Sequence, residues 1–110
     1  MRNQENVADY LPLTEATYYI LLMLVEPTHG YDVMQQVEAR TGGTVTIGPG
    51  TLYGAFSTLE QQGLIRMVGQ ENRRKIYTLT DRGRAALAGQ IERLDMMVHH
   101  GRELLGGKDL

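Results

Sequence analysis

Residues 48–80 read GPGTLYGAFSTLEQQGLIRMVGQENRRKIYTLT. Pro49 suits the first position of a helix, where its missing N–H is not needed. Leu52, Phe56 (or Ala55) and Leu59 then recur at helical spacing, and Gly63 is placed to end that helix in a left-handed cap. Leu64 and Ile65 lead into a strand that continues through Val68. Gly69-Gln70-Glu71-Asn72 reads as the turn between this run and a second β-prone run, Lys75 to Leu79. Three cations, Arg73, Arg74 and Lys75, stand together at the tip of the resulting hairpin, and Arg66 lies on the opposing strand.

Downstream, Thr80 caps a last helix with Asp81 in its first turn. Leu87, Ile91, Leu94, Val98, Gly101 and Leu105 follow at spacings of 4, 3, 4, 3 and 4, an a/d seam of the kind by which one helix packs along another. Met97 and Leu104 widen the stripe. In a chain this small, the seam is better covered by a second copy than by the chain's own domain, with other surface contributing. Upstream, Thr14 caps a first helix running to Glu26, before Pro27, and apolar on most faces. A second helix covers Tyr31–Arg40, with Val33, Val37 and Met34 inward, and Thr41-Gly42-Gly43 breaks it. Thr44 to Ile47 pair as a short strand or form the turn between helices. The fold class is therefore mainly α with a small β-hairpin (α+β). Two helices, a third that stops at a glycine, and then a basic hairpin are the order of a winged helix-turn-helix. Residues 1–80 form this unit, with 1–12 as an N-terminal arm. Residues 81–105 are a C-terminal dimerisation helix and 106–110 a tail.

The chain has 110 residues, which bounds it to one domain, and a formal net charge of −2. The distribution matters more than the total. Residues 1–40 hold two basic and six acidic side chains, residues 41–83 five and three, and residues 84–110 four of each. The cationic excess falls on the proposed recognition helix and hairpin, as phosphate binding requires. Without cysteine there is no disulfide or thiolate metal site, and a cytoplasmic location fits. The N-terminus lacks the apolar run of a signal peptide, and Tyr18 to Val25 is too short to span a bilayer.

The chain resembles the PadR-like transcriptional regulators. The resemblance runs from LPLTEATYYILLML through HGYDV to the start of the last helix, and is most specific in PGTLY, LEQQGLI and RRKIYTLTDRG. It implies a dimeric winged-helix DNA-binding repressor, often controlled by a small molecule, of the short type with a single C-terminal helix. Gly48 stands where the family often has serine, and Gly54 where proline is frequent. Both bear on the stiffness of the recognition helix's first turn.

From Pro49 to Gln62 there is no lysine or arginine, the usual readers of guanine. The candidates for groove contact are therefore neutral: Thr51, Tyr53 and Ser57, with Gln61 or Gln62 near the end. The resemblance favours Thr51 and Tyr53, although a tyrosine here also serves as a core or hinge aromatic. Charge comes from Arg73, Arg74 and Lys75 on the wing, extended by Arg66. Strand alternation would put Arg73 and Lys75 on one face and Arg74 on the other. In a two-fold dimer, two recognition helices would enter successive major grooves roughly 34 Å apart, so the expected partner is double-stranded DNA with an inverted-repeat operator.

Other signals are plainer. Asp95 and His99 lie four apart on one helix face beside His100, but two ligands per chain without cysteine make a thin metal site, and none is expected. His29 reads as a polar turn residue. Met23, Met34, Met67, Met96 and Met97 suit either core or a pliable pocket for a small apolar effector. No phosphate loop, nucleophile elbow or spaced acid–base pair is present, so an enzyme is not expected. The alternative reading is a winged-helix protein–protein interaction module with weak or no DNA binding. The uncharged recognition helix favours it, and the RRK wing argues against it.

Overall fold

The computed structural model describes residues 6–106. The first five residues of the expected arm and residues 107–110 of the expected tail lie outside these. A 3-10 turn at Val7–Tyr10 precedes α1 (Glu15–Met23), α2 (Gly30–Arg40), α3 (Pro49–Gln61), β1 (Ile65–Glu71), β2 (Arg74–Leu79) and α4 (Asp81–Leu105). The architecture is mainly α with one antiparallel hairpin.

Local chemistry sets most of the boundaries. The Thr14 hydroxyl accepts the Thr17 N–H and starts α1. That helix closes at Met23, earlier than the apolar run suggested. The Leu24 carbonyl beyond it is engaged elsewhere, accepting from Leu79 N–H at 3.1 Å and from the Thr78 hydroxyl at 3.2 Å. Gly48 caps α3 without a side-chain bond, with Pro49 behind it. Gly63, at φ +75°, ends α3: its N–H donates to the Glu60 carbonyl, and Leu64 N–H reaches back to Leu59. Thr44 to Ile47 form no strand; they are irregular, with the Val45 N–H donating to the Thr41 hydroxyl.

Thr80 fastens the last helix to the end of α3. Its backbone N–H donates to the Leu64 carbonyl at 3.0 Å and its hydroxyl to the Gly63 carbonyl at 2.6 Å. The same hydroxyl oxygen accepts the Gly83 N–H and so caps α4. Three element ends thus share one residue, with no linker between β2 and α4.

The core gathers Ile20, Leu21 and Leu24 after and within α1, Val33 and Val37 of α2, Leu52 of α3, and Leu64 and Ile65 at the entry to β1, all essentially solvent-free. From α4, Gly83, Ala86, Leu87 and Gln90 are buried. Gln90 Oε1 accepts the Leu13 N–H at 2.8 Å, tying the segment before α1 to α4. Nearer the N-terminus, the Arg82 guanidinium lies over the Tyr10 ring and donates to its hydroxyl.

β1 and β2 pair with Ile65 opposite Leu79 and Glu71 opposite Arg74. The register slips between Met67 and Gly69, leaving Val68 as the extra residue of a bulge, which increases local twist. On its other side β2 exchanges two backbone bonds with Thr28, at 3.0 and 2.8 Å to and from Tyr77. β2 is therefore held between β1 and the loop that leads into α2, which anchors the wing.

Candidate nucleic-acid interface

α3 buries Leu52, Phe56 and Leu59, positions four and three apart, and this spacing sends Thr51, Tyr53, Ser57 and Gln61 to the outside. Tyr53 is 52% exposed, so it is not a core aromatic. One ring edge meets Phe56, with centroids 6.1 Å apart in a T-shaped arrangement. The other rests on Gly30, where an added Cβ would stand 2.8 Å from Tyr53 Cε1. The side chain is thus braced on two sides while half of it faces solvent.

The wing turns later than the sequence suggested. Asn72 and Arg73 both adopt left-handed backbone, at φ 50° and 69°, and connect Glu71 to Arg74 as a two-residue hairpin loop. Gly69, expected in the turn, lies within β1 opposite Ile76, beside the bulge. Arg73 is consequently a turn residue, and strand alternation does not govern it. Arg73, Arg74 and Lys75 instead border one groove, shared with Tyr53 and Ser57 of α3. Thr51 and Arg66 are exposed but lie outside that groove.

Phe56 of α3 and Tyr77 of β2 also border the groove, with ring centroids 4.9 Å apart. Burial raises the Tyr77 phenol above the ordinary tyrosine value, and the nearby Glu60 carboxylate raises it further. The phenol stays neutral and adds no negative charge to a cationic groove. Because the folded chain holds this proton more tightly than the unfolded chain, the associated stability is complete below the ordinary tyrosine value. It is lost as pH climbs through the raised one. Unfolding midpoints measured at rising alkaline pH should therefore fall, and Tyr77→Phe should reduce that fall.

Two groove residues escaped the sequence reading. His29 is the N-cap of α2, its Nδ1 accepting the Asp32 N–H at 3.1 Å, and its Nε2 lies 3.3 Å from Nη1 of Arg74. Tyr31 is half exposed, with the Arg74 guanidinium over its ring at 5.1 Å. Sequence spacing carries no signal for either contact, because Arg74 is 45 residues from His29.

The seam of α4 divides in two. Leu87 is buried in the core of its own chain, one turn beyond Gly83, where α4 meets Leu64 and Leu79. Beyond it Leu94 is half-buried, and Ile91, Val98, Gly101 and Leu105 are exposed. The methionines do not line one common pocket among the described residues, and Met34 packs partly buried against the core. Met23 is core, Met67 is on the hairpin, and Met96 and Met97 are exposed on α4. Among the described residues no group of three or more His, Asp or Glu side chains is placed to hold a metal ion, and no helix is long and apolar enough to cross a membrane.

Residues 20–89 match the model of the transcriptional regulator PadR-like family. The chain is 31% identical over 72 residues to the transcriptional regulator YqjI of Escherichia coli, a match spanning 66% of this chain and 35% of that protein. It is also 35% identical over 74 residues to an uncharacterised 37.1 kDa protein of a Streptomyces fradiae transposon, spanning 66% of this chain and 21% of that one. The chain therefore covers about a third or less of these relatives' own length. Among solved structures, a transcriptional regulator from Clostridium thermocellum superposes with a TM-score of 0.72 at 25% identity, over 83% of this chain and 96% of that one. A PadR family transcriptional regulator from Eggerthella lenta gives 0.69 at 28% identity, over 82% and 80%.

Proposed function

The chain belongs to the PadR-like family of transcriptional regulators, which are DNA-binding proteins rather than enzymes, and on that premise we propose that it acts as a homodimeric repressor at an inverted-repeat operator. The observation that carries the DNA-binding part is the shared groove. Tyr53, Ser57 and Glu60 of α3 and the three wing cations border the same opening, so a backbone following the wing passes α3. In this reading Thr51, Tyr53 and Ser57 meet base edges and sugars. Arg73, Arg74 and Lys75 neutralise phosphates, and Arg66 extends the patch on the outer strand. The dimer forms through the exposed part of the α4 seam, Ile91, Leu94, Val98, Gly101 and Leu105, while Leu87 supports it from within the chain's own core. Residues 1–80 read DNA and residues 81–105 associate. For release by a small apolar effector, the fold offers a hollow beside the seam, between Tyr18 and Tyr19 of α1 and Leu94 and Met97 of α4.

The test is fluorescence anisotropy against DNA from just upstream of the coding region and against a scrambled duplex, across a salt series. With about three phosphates neutralised per chain, the log–log salt slope is expected to be on the order of −5. The double variant Arg73→Ala/Arg74→Ala should weaken binding about tenfold or more and flatten the slope to about −2. Equal, weak and salt-insensitive binding to both duplexes would favour a protein-interaction module instead, the reading to which the uncharged α3 lends itself.

A further inference from the structure

The contact between His29 and Arg74 holds a conflict of donors. His29 Nδ1 accepts the Asp32 N–H, which caps α2. A neutral imidazole has one accepting nitrogen and one N–H, so accepting at Nδ1 puts the proton on Nε2. That Nε2–H lies 3.3 Å from Nη1 of Arg74, whose guanidinium consists only of donors. No hydrogen bond joins the two while the cap is intact. In the opposite tautomer Nε2 accepts from Arg74, but Nδ1 then carries a proton towards Asp32 N–H and the cap is lost. Both bonds cannot exist at once. Arg74 owes its position instead to the Tyr31 ring beneath it, 5.1 Å from the guanidinium carbon.

Among the described residues no acceptor is hydrogen-bonded to either donor, the Glu60 carboxylate bordering the same groove included, and two donors so placed define a place for an anionic oxygen. An oxygen seated between them accepts from both, relieves the donor–donor approach and leaves the α2 cap whole. We propose that His29 Nε2–H and the Arg74 guanidinium form a two-donor clamp on one phosphodiester oxygen of the DNA backbone, with Tyr31 as the residue that positions the guanidinium. The inference rests on the DNA-binding reading above and adds two residues to it. A phosphodiester fits because Arg73 and Lys75 border the same groove and draw the backbone towards it. His29 is then a contact residue without a net charge, a donor aimed by the bond its other nitrogen makes.

Asparagine separates the two roles of His29. It is among the best helix caps, so Asn in place of His29 can still accept the Asp32 N–H, but it ends short of the Nε2 position. Binding of the full chain to a random-sequence duplex at low salt provides the assay. His29→Asn should keep the wild-type unfolding midpoint, bind about tenfold more weakly and leave the salt slope unchanged, since no charge is removed. Arg74→Ala should weaken binding and also reduce the slope, by roughly one unit per chain. Tyr31→Leu should weaken binding at constant slope, and Tyr31→Phe, which keeps the ring face, should restore it. Ring 15N shifts of His29 should report the Nε2–H form. Wild-type affinity in His29→Asn, a lowered unfolding midpoint accompanying its weaker binding, or a proton on Nδ1 in the wild type would each overturn the clamp while leaving the DNA-binding reading in place. Failure of the wild type itself to bind any duplex in a salt-dependent way would overturn both.

Discussion

Gly83→Ala is expected to destabilise the fold by about 3 kcal/mol or more, a large fraction of a small domain's total stability. Gly83 lies in the first turn of α4, where a Cβ would stand 2.0 Å from the Leu64 carbonyl oxygen and 3.0 Å from its carbon. Both are backbone atoms, so no rotamer change relieves the clash. Leu64 cannot retreat either. Its side chain is fully buried, its N–H holds the end of α3, and its carbonyl accepts from Thr80. Moving α4 outward would strain the Thr80 bonds to Gly63 and Gly83 as well. Urea or thermal unfolding followed by circular dichroism measures the loss. Gly54→Ala is the control. It also sits in a helix but has nothing within 4 Å of the added carbon, so it should raise stability by about 0.5–1 kcal/mol. A Gly83→Ala protein as stable as wild type would mean that α4 does not meet the Leu64 backbone at this distance.

The second large effect concerns association. Val98→Asp is expected to convert the proposed dimer to monomer at micromolar concentration, weakening association by about a thousandfold or more. Two-fold symmetry would bury two carboxylates near one another in an apolar seam, at a cost of several kcal/mol. Val98 is 51% exposed within one chain, so the substitution leaves the domain's own core untouched. Met96→Asp adds the same charge at a residue of nearly the same exposure, 52%. At 3.6 residues per turn it lies about 180° around α4 from the seam, so it should remain dimeric. Light scattering coupled to size exclusion distinguishes the two. Both variants behaving as the wild type would remove α4 from the interface, and both becoming monomeric would point to a general loss of the helix rather than to the seam.

The parts of the fold readable from sequence were those fixed within a few residues. Pro49 at the start of α3, Gly63 at its end and Thr80 before α4 each act on neighbouring backbone groups, so residue type alone locates them. The wing turn was misplaced because Gly69 is the usual marker of a turn. The chain puts left-handed backbone at Asn72 and Arg73 instead and leaves Gly69 beside a bulge. Asn72 is a residue type that favours that conformation, but arginine is uncommon in it, and the pair lacks the glycine that would mark a two-residue turn. Periodicity found the α4 seam but not its division, because whether Leu87 meets a partner or its own core depends on how closely α4 approaches Leu64. In the groove, the wing cations and the outer face of α3 were legible as types of residue. That they share one opening with His29 and Tyr31 follows from the docking of β2 against Thr28, a pairing between segments distant in sequence.

The absence of a linker between β2 and α4 bears on which operators such a dimer can tolerate. Leu79 ends the wing, Thr80 is the cap and Asp81 begins the helix, so any torque on the wing passes into α4 without slack. In the proposed dimer the distance and angle between the two reading heads are then properties of helix geometry. One residue inserted between Gln90 and Ile91 would advance the seam by about 1.5 Å and turn it by about 100° relative to its wing. The two heads would fall out of phase with successive turns of the duplex. A dimer built this way should discriminate sharply against operators whose half-sites are one base pair closer or further apart, even when every base in each half-site is correct.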